Sequence, residues 1–357
     1  MTRAPVALLL VFGLLAACGG GSPAVSPLPI SSSAPSGSPS SSQSVSVIPS
    51  PSASAAPGTN VPPGDLRCDA HSCRVERANE QTLSELARSH PDLGEIELLG
   101  GHPRTLAPLA AFTKLYRFRI ALCEGLVDRD FSFAKTWNEL AILDVSNCDG
   151  FTSVAPLGSL PKLADVSLVN TNLRNLDGLR GAPITKLRVQ SGVTDLAAVE
   201  TMTKLESLTL YDLDGIHELP FLPKLTRLTT LDVMTTDLVR VPDLSSLVAL
   251  RSLTLSHCPK LTALKGLAGL PALEVLVLDW SGVTDLSAIG RSDHVTFLHL
   301  EGTKVKDLTP LSSWRSLATV IVADDTAPAL VAALKLRAPK MTVKTAHQAA
   351  AAAFGPH

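Results

Sequence analysis

The chain has 357 residues, of which 45% are hydrophobic, 4% aromatic and 18% charged, and its formal net charge is −2. This hydrophobic content can supply a large core, which leucine rather than aromatic rings has to fill. A charge so close to zero excludes the strongly basic surface on which nucleic-acid binding depends, so no nucleic-acid partner is expected.

The first 17 residues have the pattern of an export signal. One basic residue, Arg3, precedes an apolar run over residues 4–17, which is too short and too early to span a membrane as a permanent helix. We therefore interpret residues 1–17 as a signal peptide. Residues 15–18 indicate that it is a lipoprotein signal peptide.

Residues 15–18 read LAAC and resemble a bacterial lipobox. The resemblance implies that the Cys18 thiol receives a diacylglyceryl group and that Cys18 becomes the N-terminus after cleavage. Anchoring by more than one acyl chain is stable, so a lipid bilayer is an expected partner. The expected location is the cell envelope, either the outer membrane or cell surface, or the outer side of the cytoplasmic membrane in a Gram-positive host. An ordinary secretory signal with an incidental cysteine is the alternative.

Residues 18–64 are predicted to be the lipidated cysteine and a disordered tether. Ser, Pro, Ala and Gly dominate from Gly19 to Gly64, and no residue in this stretch is charged. Such a composition cannot bury enough apolar surface to fold. As a flexible coil the tether would reach roughly 40 Å.

Residues 65–92 are predicted to form an N-terminal cap. An exported location permits disulfides, so Cys68 and Cys73 are expected to close a small hairpin. A metal site is the alternative, but it has no neighbouring ligand beyond His71. Asn79 then precedes an amphipathic run that stops at Pro91, which predicts a helix of about ten residues that covers the open end of the next segment.

Residues 93–325 repeat one phrase with a spacing of 21 to 23 residues. Each unit starts with a leucine-like residue and has apolar residues three and five positions later. One unit cannot bury its own leucines, and only a stacked neighbour seals the core, so this period predicts a solenoid. Clear units start at Leu140, Leu163, Ile184, Leu205, Leu228, Leu250, Leu273, Val295 and Leu317, and weaker ones at Leu93 and Leu115.

The second half of several units reads VTDLAAV, VTDLSAI or VKDLTPL, from Val193, Val283 and Val305. These repeats resemble the leucine-rich repeat family, and their closest variant is the short bacterial type of the internalins. The resemblance implies an α/β solenoid, a horseshoe or arc with a parallel concave sheet, an N-terminal helical cap and a C-terminal cap of one helix and one strand. It says little about the ligand.

Three cysteines, Cys123, Cys148 and Cys258, lie eight positions after a unit start. One reading makes each a small buried side chain at the turn. The other joins Cys123 to Cys148, because matched positions in adjacent strands are roughly 5 Å apart. Cys258 has no matching neighbour and is predicted to be a buried thiol.

Residues 326–344 are predicted to form the C-terminal cap. A helix is expected from about Ala327 to Arg337, followed by a final strand in KMTVKT from Lys340 that covers the sheet edge. Residues 345–357 are interpreted as a disordered tail.

The chain has no P-loop, glycine-rich dinucleotide turn, HExxH or GxSxG motif. We therefore expect no enzyme activity, cofactor or metal, and look for function on a surface. Positions 2, 4, 6 and 7 after each start should face outward on the concave sheet, since positions 3 and 5 face inward. At these positions the N-terminal half carries mixed charges, and the C-terminal half collects rings.

The predicted binding residues are Tyr211, Asp212, Met234, His257, Asp279, Trp280, Phe297, His299 and Glu301. Tyr and Trp often carry binding energy at protein interfaces, so a protein partner is the first hypothesis. A glycan or cell-wall ligand stacked on the rings is the second, and a structural spacer in the envelope is the third. A metal site at His257, Asp279 and His299 is not favoured, because their offsets within the units differ.

Overall fold

The computed structural model describes residues 65–126 and 130–349. The predicted signal peptide, Cys18 and tether lie outside the described residues, as does the predicted tail from residue 350 onward.

The described residues form an open solenoid built on one sheet, whose fourteen strands follow one another in chain order. Every neighbouring pair is parallel except the first. Each unit therefore adds one strand beside the previous one, which confirms the predicted α/β solenoid. The strands are β1 (Asp65–Cys68), β2 (Ser72–Ala78), β3 (Glu95–Gly101), β4 (Arg117–Cys123), β5 (Ile142–Cys148), β6 (Asp165–Thr171), β7 (Lys186–Gln190), β8 (Ser207–Leu213), β9 (Thr230–Thr236), β10 (Ser252–Ser256), β11 (Val275–Val277), β12 (Phe297–His299), β13 (Thr319–Val322) and β14 (Thr342–Thr345).

The sheet register stacks equivalent positions of successive units into rows. Phe118 at position 3 of its unit pairs with Leu143, and Ile120 at position 5 pairs with Val145. All four side chains are buried. The side chains between them point to the other face, because successive strand residues alternate. Short 3-10 segments carry the chain back and bury further leucines, such as Leu109 and Leu157.

Position 7 marks the end of each strand with a left-handed backbone. Trp280 has φ 54°, His257 52°, Asn147 51° and Leu122 59°, and glycine occupies the same position at Gly302, with φ 64°. Residues with a Cβ adopt this conformation rarely and at a cost. Its recurrence turns the chain out of the sheet at the same point in each unit from Leu93 to the one that starts at Val295. In each of these units it places one residue along the rim of the concave face.

The N-terminal cap combines a hairpin with a helix. Cys68 and Cys73 are joined by a disulfide, and β1 and β2 pair antiparallel on either side of it. The helix α1 (Glu80–Ser89) begins at Asn79, whose side chain accepts a hydrogen bond from the Thr82 backbone N–H at 2.8 Å. Because α1 lies between β2 and β3 in the chain, it takes the place of a return segment, and the β1–β2 hairpin covers the strand edge.

The other cysteines differ in their bonding. Cys123 and Cys148 form a disulfide between the ends of β4 and β5, with their Cα atoms 4.9 Å apart. Cys258 is a free, buried thiol whose Sγ lies 3.3 Å from Thr236 Oγ1. Burial raises the pKa of the Cys258 thiol, which makes it a poor nucleophile.

The C-terminal cap consists of α2 (Pro328–Arg337) and β14, which pairs parallel with β13. The boundary placed at residue 345 was too early, because Thr345 belongs to β14 and residues 346–349 are helical. The Thr345 N–H donates to Gln348 Oε1, and the His347 N–H donates to Asp324 Oδ1, both at 3.1 Å. These bonds order the start of the segment that composition had marked as a tail. No helix in the described part of the chain is long and apolar enough to cross a membrane.

Candidate functional site

Six of the nine predicted binding residues come together at the C-terminal end of the concave sheet. Asp279 and Trp280 follow β11, His257 follows β10, Glu301 follows β12, and Phe297 and His299 belong to β12. Four of these residues join Ser256 in a group that we call the His–Asp cluster: Ser256, His257, Asp279, His299 and Glu301.

Asp279 is the centre of the His–Asp cluster. Its Oδ1 accepts a hydrogen bond from Ser256 Oγ at 2.5 Å. Its Oδ2 lies 3.8 Å from His257 Nδ1, and its Oδ1 lies 4.0 Å from His299 Nδ1. Asp279, His299 and Ser256 are buried. One carboxylate therefore lies between two imidazoles contributed by the units on either side.

His299 links Asp279 to the next unit. Its Nε2 lies 3.3 Å from Glu301 Oε2, and its ring packs edge-on to Phe297 with the ring centroids 6.5 Å apart. The His299 imidazole thus has the Asp279 carboxylate near Nδ1 and the Glu301 carboxylate near Nε2, and these two contacts fix the orientation of the ring.

Trp280 forms the exposed rim of the site. Half of its side chain, 51%, is exposed to solvent. Its ring lies nearly parallel to the His257 ring, with centroids 6.1 Å apart and an interplanar angle of 25°. On its other side is Gly302, where an added Cβ would lie 2.5 Å from Trp280 Cδ2. His257, Trp280 and Gly302 all occupy position 7 of their units, so the indole lies flat along the rim.

Tyr211, Asp212 and Met234 are farther away. Tyr211 pairs in register with Met234, and Met234 with Ser256. At the usual strand spacing Tyr211 is about 15 Å from Asp279. Asp212 Oδ2 accepts a hydrogen bond from Ser191 Oγ at 2.7 Å. These residues extend the surface toward the N-terminus, but they do not touch the His–Asp cluster.

The sequence interpretation missed several residues of this surface. Val277 and Ile321 flank His299 in the sheet register and occupy the same position 4. Ser256 occupies position 6, like Asp279. All three fall at outward positions, so the repeat offsets were a sufficient signal, but their side chains were not considered because they are small or aliphatic.

Asp232 is a further outward residue with an altered acidity. Burial raises the pKa of its carboxyl, although hydrogen bonds from Thr254 and Thr209 and the charge of Arg188 oppose the rise. It lies at position 4 on β9, in the same row as Val277 and His299. A carboxyl with a raised pKa in a cleft is a common feature of functional sites and of structural networks alike.

The N-terminal half of the concave face has a different electrostatic character. Arg74 and Arg119 both pair with Glu97, at 3.3 and 2.8 Å, and Arg119 also lies 3.6 Å from Asp144. These side chains are a quarter to a half exposed, and such pairs contribute little to stability. Their charges neutralise one another, so this half presents no concentrated field to a partner.

The hydrogen bonding of the His–Asp cluster differs from that of a nucleophilic serine site. The Ser256 hydroxyl donates to a carboxylate, whereas a nucleophilic serine donates to an imidazole. No group of three His, Cys, Asp or Glu side chains in the described ranges is arranged to hold a metal ion. Trp280, His257 and Glu301 are the partly exposed groups here, and they lie over the buried Ser256, Asp279 and His299.

Comparisons with known proteins bear on the fold. No protein-family profile matches the chain, and no curated protein matches it in sequence. Among solved structures, it is similar to an internalin (inlF) of Listeria monocytogenes, with 19% identity and a TM-score of 0.57 over 76% of this chain and 79% of that chain. An internalin C2 of the same species has 22% identity and a TM-score of 0.40 over 55% and 76% of the two chains. A leucine-rich repeat protein of Leptospira interrogans has 14% identity and a TM-score of 0.44 over 77% and 89%. The first of these, together with the strand order and the buried rows, shows that this chain has the leucine-rich repeat fold.

Proposed function

We propose that this chain is an exported, lipid-anchored leucine-rich repeat protein that binds a protein partner through the C-terminal half of its concave sheet. The observation that carries the proposal is Trp280, a half-exposed indole held flat between His257 and Gly302 beside a buried carboxylate. A large side chain without freedom to move loses little entropy when a partner binds it.

The arrangement of polar and apolar groups supports this assignment. Residues that dominate binding are often Trp and Tyr near the centre of a contact, surrounded by groups that exclude water. Here Trp280 is half exposed and Phe297 is half buried, and the nearby side chains of His257 and Glu301 keep 42% and 31% of their surface open to solvent. The partly exposed His257 imidazole and Glu301 carboxylate can give directional contacts that a purely apolar patch lacks.

Photocrosslinking in the native envelope tests the binding surface. Benzoylphenylalanine would replace Trp280 in one variant and Leu122 in a control. Leu122 has the same left-handed position 7 and a similar exposure, 58% against 51%, at the other end of the sheet. We expect a discrete protein adduct from position 280 and none from position 122.

Two outcomes would count against this surface. Identical adducts from both positions would mean that the contact is not specific to the C-terminal half. The glycan alternative would replace the proposal if the purified chain were retained on peptidoglycan or polysaccharide and Trp280→Ala abolished that retention.

The lipid anchor is proposed from the sequence of residues 15–18 alone. Cys18→Ser should block acylation, so the chain would appear in the soluble fraction and would not incorporate radiolabelled palmitate. Cys258→Ala, at a buried thiol, should leave the chain in the membrane fraction. Membrane association of both variants would contradict the anchor.

A further inference from the structure

A cleft opens where the last repeat meets the C-terminal cap. Its volume is about 850 Å³, and its walls come from the return segment of the unit that starts at Val295 and from the start of α2. None of its lining residues belongs to the His–Asp cluster. The apolar part of the lining is Leu300, Val305, Leu308, Val322 and Leu330.

The cleft has a structural cause in the pairing of return segments. In several of the preceding units, the return segment forms a backbone hydrogen bond to the return segment before it. Thr194 N donates to Arg174 O, Val239 N to His217 O, and Lys304 N to Val283 O, each at 3.0 Å. This second, irregular ladder runs alongside the main sheet.

The C-terminal cap extends only one of these two ladders. β14 continues the main sheet beside β13. On the return side the chain turns into α2 instead, and Thr326 N donates locally to Ala323 O at 3.1 Å. Within the described residues, no hydrogen bond involves the backbone of Val305 or Lys306. The return ladder therefore ends in an open edge inside the cleft.

The chemistry of the cleft selects an extended peptide as its occupant. An open backbone edge is satisfied by another peptide backbone, as in strand addition, and an acyl chain cannot supply those bonds. Lys304 and Lys306 are exposed on the rim, while Asp325 is the one acidic residue in the lining. The net positive rim favours a peptide that carries an acidic residue.

We propose that this cleft binds an extended peptide segment of a partner, which adds to the return ladder beside Val305, inserts an apolar side chain between Leu308 and Leu330, and places an acidic group near Lys304 and Lys306. The site is separate from the concave surface, so it provides a second contact on the same molecule.

A peptide copied from the chain's own return segment is a suitable probe. An acetylated, fluorescein-labelled SGVTDLSAI, the sequence of residues 281–289, has the register of a further repeat. Its glycine, Gly282 in the chain, occupies position 9, as does Lys304, whose N–H donates to Val283 O of the preceding unit at 3.0 Å. Fluorescence polarisation with the full chain should show saturable binding. The double variant Lys304→Glu/Lys306→Glu should bind about tenfold more weakly, and a peptide with lysine in place of its aspartate should recover the loss.

Controls separate the cleft from general effects. Lys335→Glu/Lys340→Glu reverses two exposed charges of the cap outside the cleft lining and should leave binding unchanged. Thermal unfolding of each variant checks that it folds. N-methylation of the peptide glycine should abolish binding, because it removes the N–H that would donate to Val305 O.

Three results would overturn the proposal. The first is no saturable binding up to a millimolar concentration of peptide. The second is binding that survives N-methylation and the Lys304→Glu/Lys306→Glu change. The third is that laurate displaces the peptide and binds more tightly than the peptide does. That result would mean that the cleft binds an acyl chain.

Discussion

The two halves of the concave sheet have the same strand arrangement but carry different outward side chains. In the N-terminal half, outward charges such as Arg119 and Glu97 pair with each other, and a disulfide joins β4 to β5. In the C-terminal half, the free thiol Cys258 replaces the disulfide, and outward rings surround Asp279. The N-terminal half is therefore cross-linked by ion pairs and a covalent bond, whereas the C-terminal half leaves the half-exposed Trp280 on its rim.

The largest expected difference between the halves is the loss of stability when a buried tryptophan is removed from the core of each. Trp137 and Trp314 each follow a 3-10 segment and donate to a backbone carbonyl of the preceding unit, at 3.0 and 2.8 Å. Trp137 also packs edge-on to Phe118 and Phe133, at 5.0 and 5.4 Å. Trp137→Ala should lower the free energy of unfolding by about 3–5 kcal/mol, and Trp314→Ala by less, because ring pairs add about 0.5–1.5 kcal/mol. Urea unfolding measures both, and equal losses would remove this distinction.

The next largest expected effect on stability comes from removing the Cys123–Cys148 disulfide. Cys123→Ala/Cys148→Ala should lower the free energy of unfolding by about 3 kcal/mol, since the bond closes a loop with a sequence separation of 25. Cys258→Ala is the control in the C-terminal half. It breaks no disulfide, so it should lower the free energy of unfolding clearly less. Urea titrations under oxidising conditions give both values. A double variant that unfolds at the wild-type midpoint would show that the bond does not stabilise the N-terminal half.

Glycine substitution at position 7 tests how Trp280 is held. Gly302→Ala and Gly100→Ala both place a Cβ at a positive φ, 64° and 68°, which should cost about 1 kcal/mol each. The added Cβ meets the Trp280 ring at Gly302 and nothing within 4 Å at Gly100. Only Gly302→Ala should change acrylamide quenching of tryptophan fluorescence, because Trp137 and Trp314 are buried. Equal quenching in the two variants would contradict the described packing.

The largely buried Asp232 at position 4 should make the stability of the C-terminal half depend on pH. Burial raises the pKa of Asp232, so the folded chain holds this proton more tightly than the unfolded chain. Its contribution to stability therefore falls as pH rises from the ordinary aspartate pKa through the raised value, and it stays low above that. Asp232→Asn should be more stable than wild type at pH 7, and the gain should vanish in acid.

Asp144→Asn is the control for that measurement in the N-terminal half. It removes the partner of Arg119 at 3.6 Å, so it should lose up to about 0.5 kcal/mol at pH 7. Thermal unfolding between pH 3.5 and 7.5 measures both variants. A loss of stability in Asp232→Asn at pH 7 would mean that its hydrogen bonds outweigh the burial of its charge.

The repeat offsets predicted the outward surface well and its contacts poorly. His257, Asp279 and His299 occupy positions 7, 6 and 4; this mismatch argued against a shared metal site, and no direct contact between them was predicted. In the structure, Asp279 lies within 4.0 Å of both imidazoles, because the left-handed residue at position 7 turns the His257 side chain back along the rim. Long side chains also reach across one position of the register, which a count of offsets does not include.

The sequence by itself determined that the chain forms a solenoid, that successive units add parallel strands in chain order, and which rows of side chains are buried. A leucine spacing of 21 to 23 residues leaves each unit with an apolar face that only a stacked neighbour can cover. The tertiary structure alone decided which outward groups meet, that Cys123 and Cys148 are bonded, and that the return ladder ends open at Val305. These outcomes depend on distances of a few ångströms between different units, and the repeat pattern specifies which row a residue belongs to but not how far its side chain reaches.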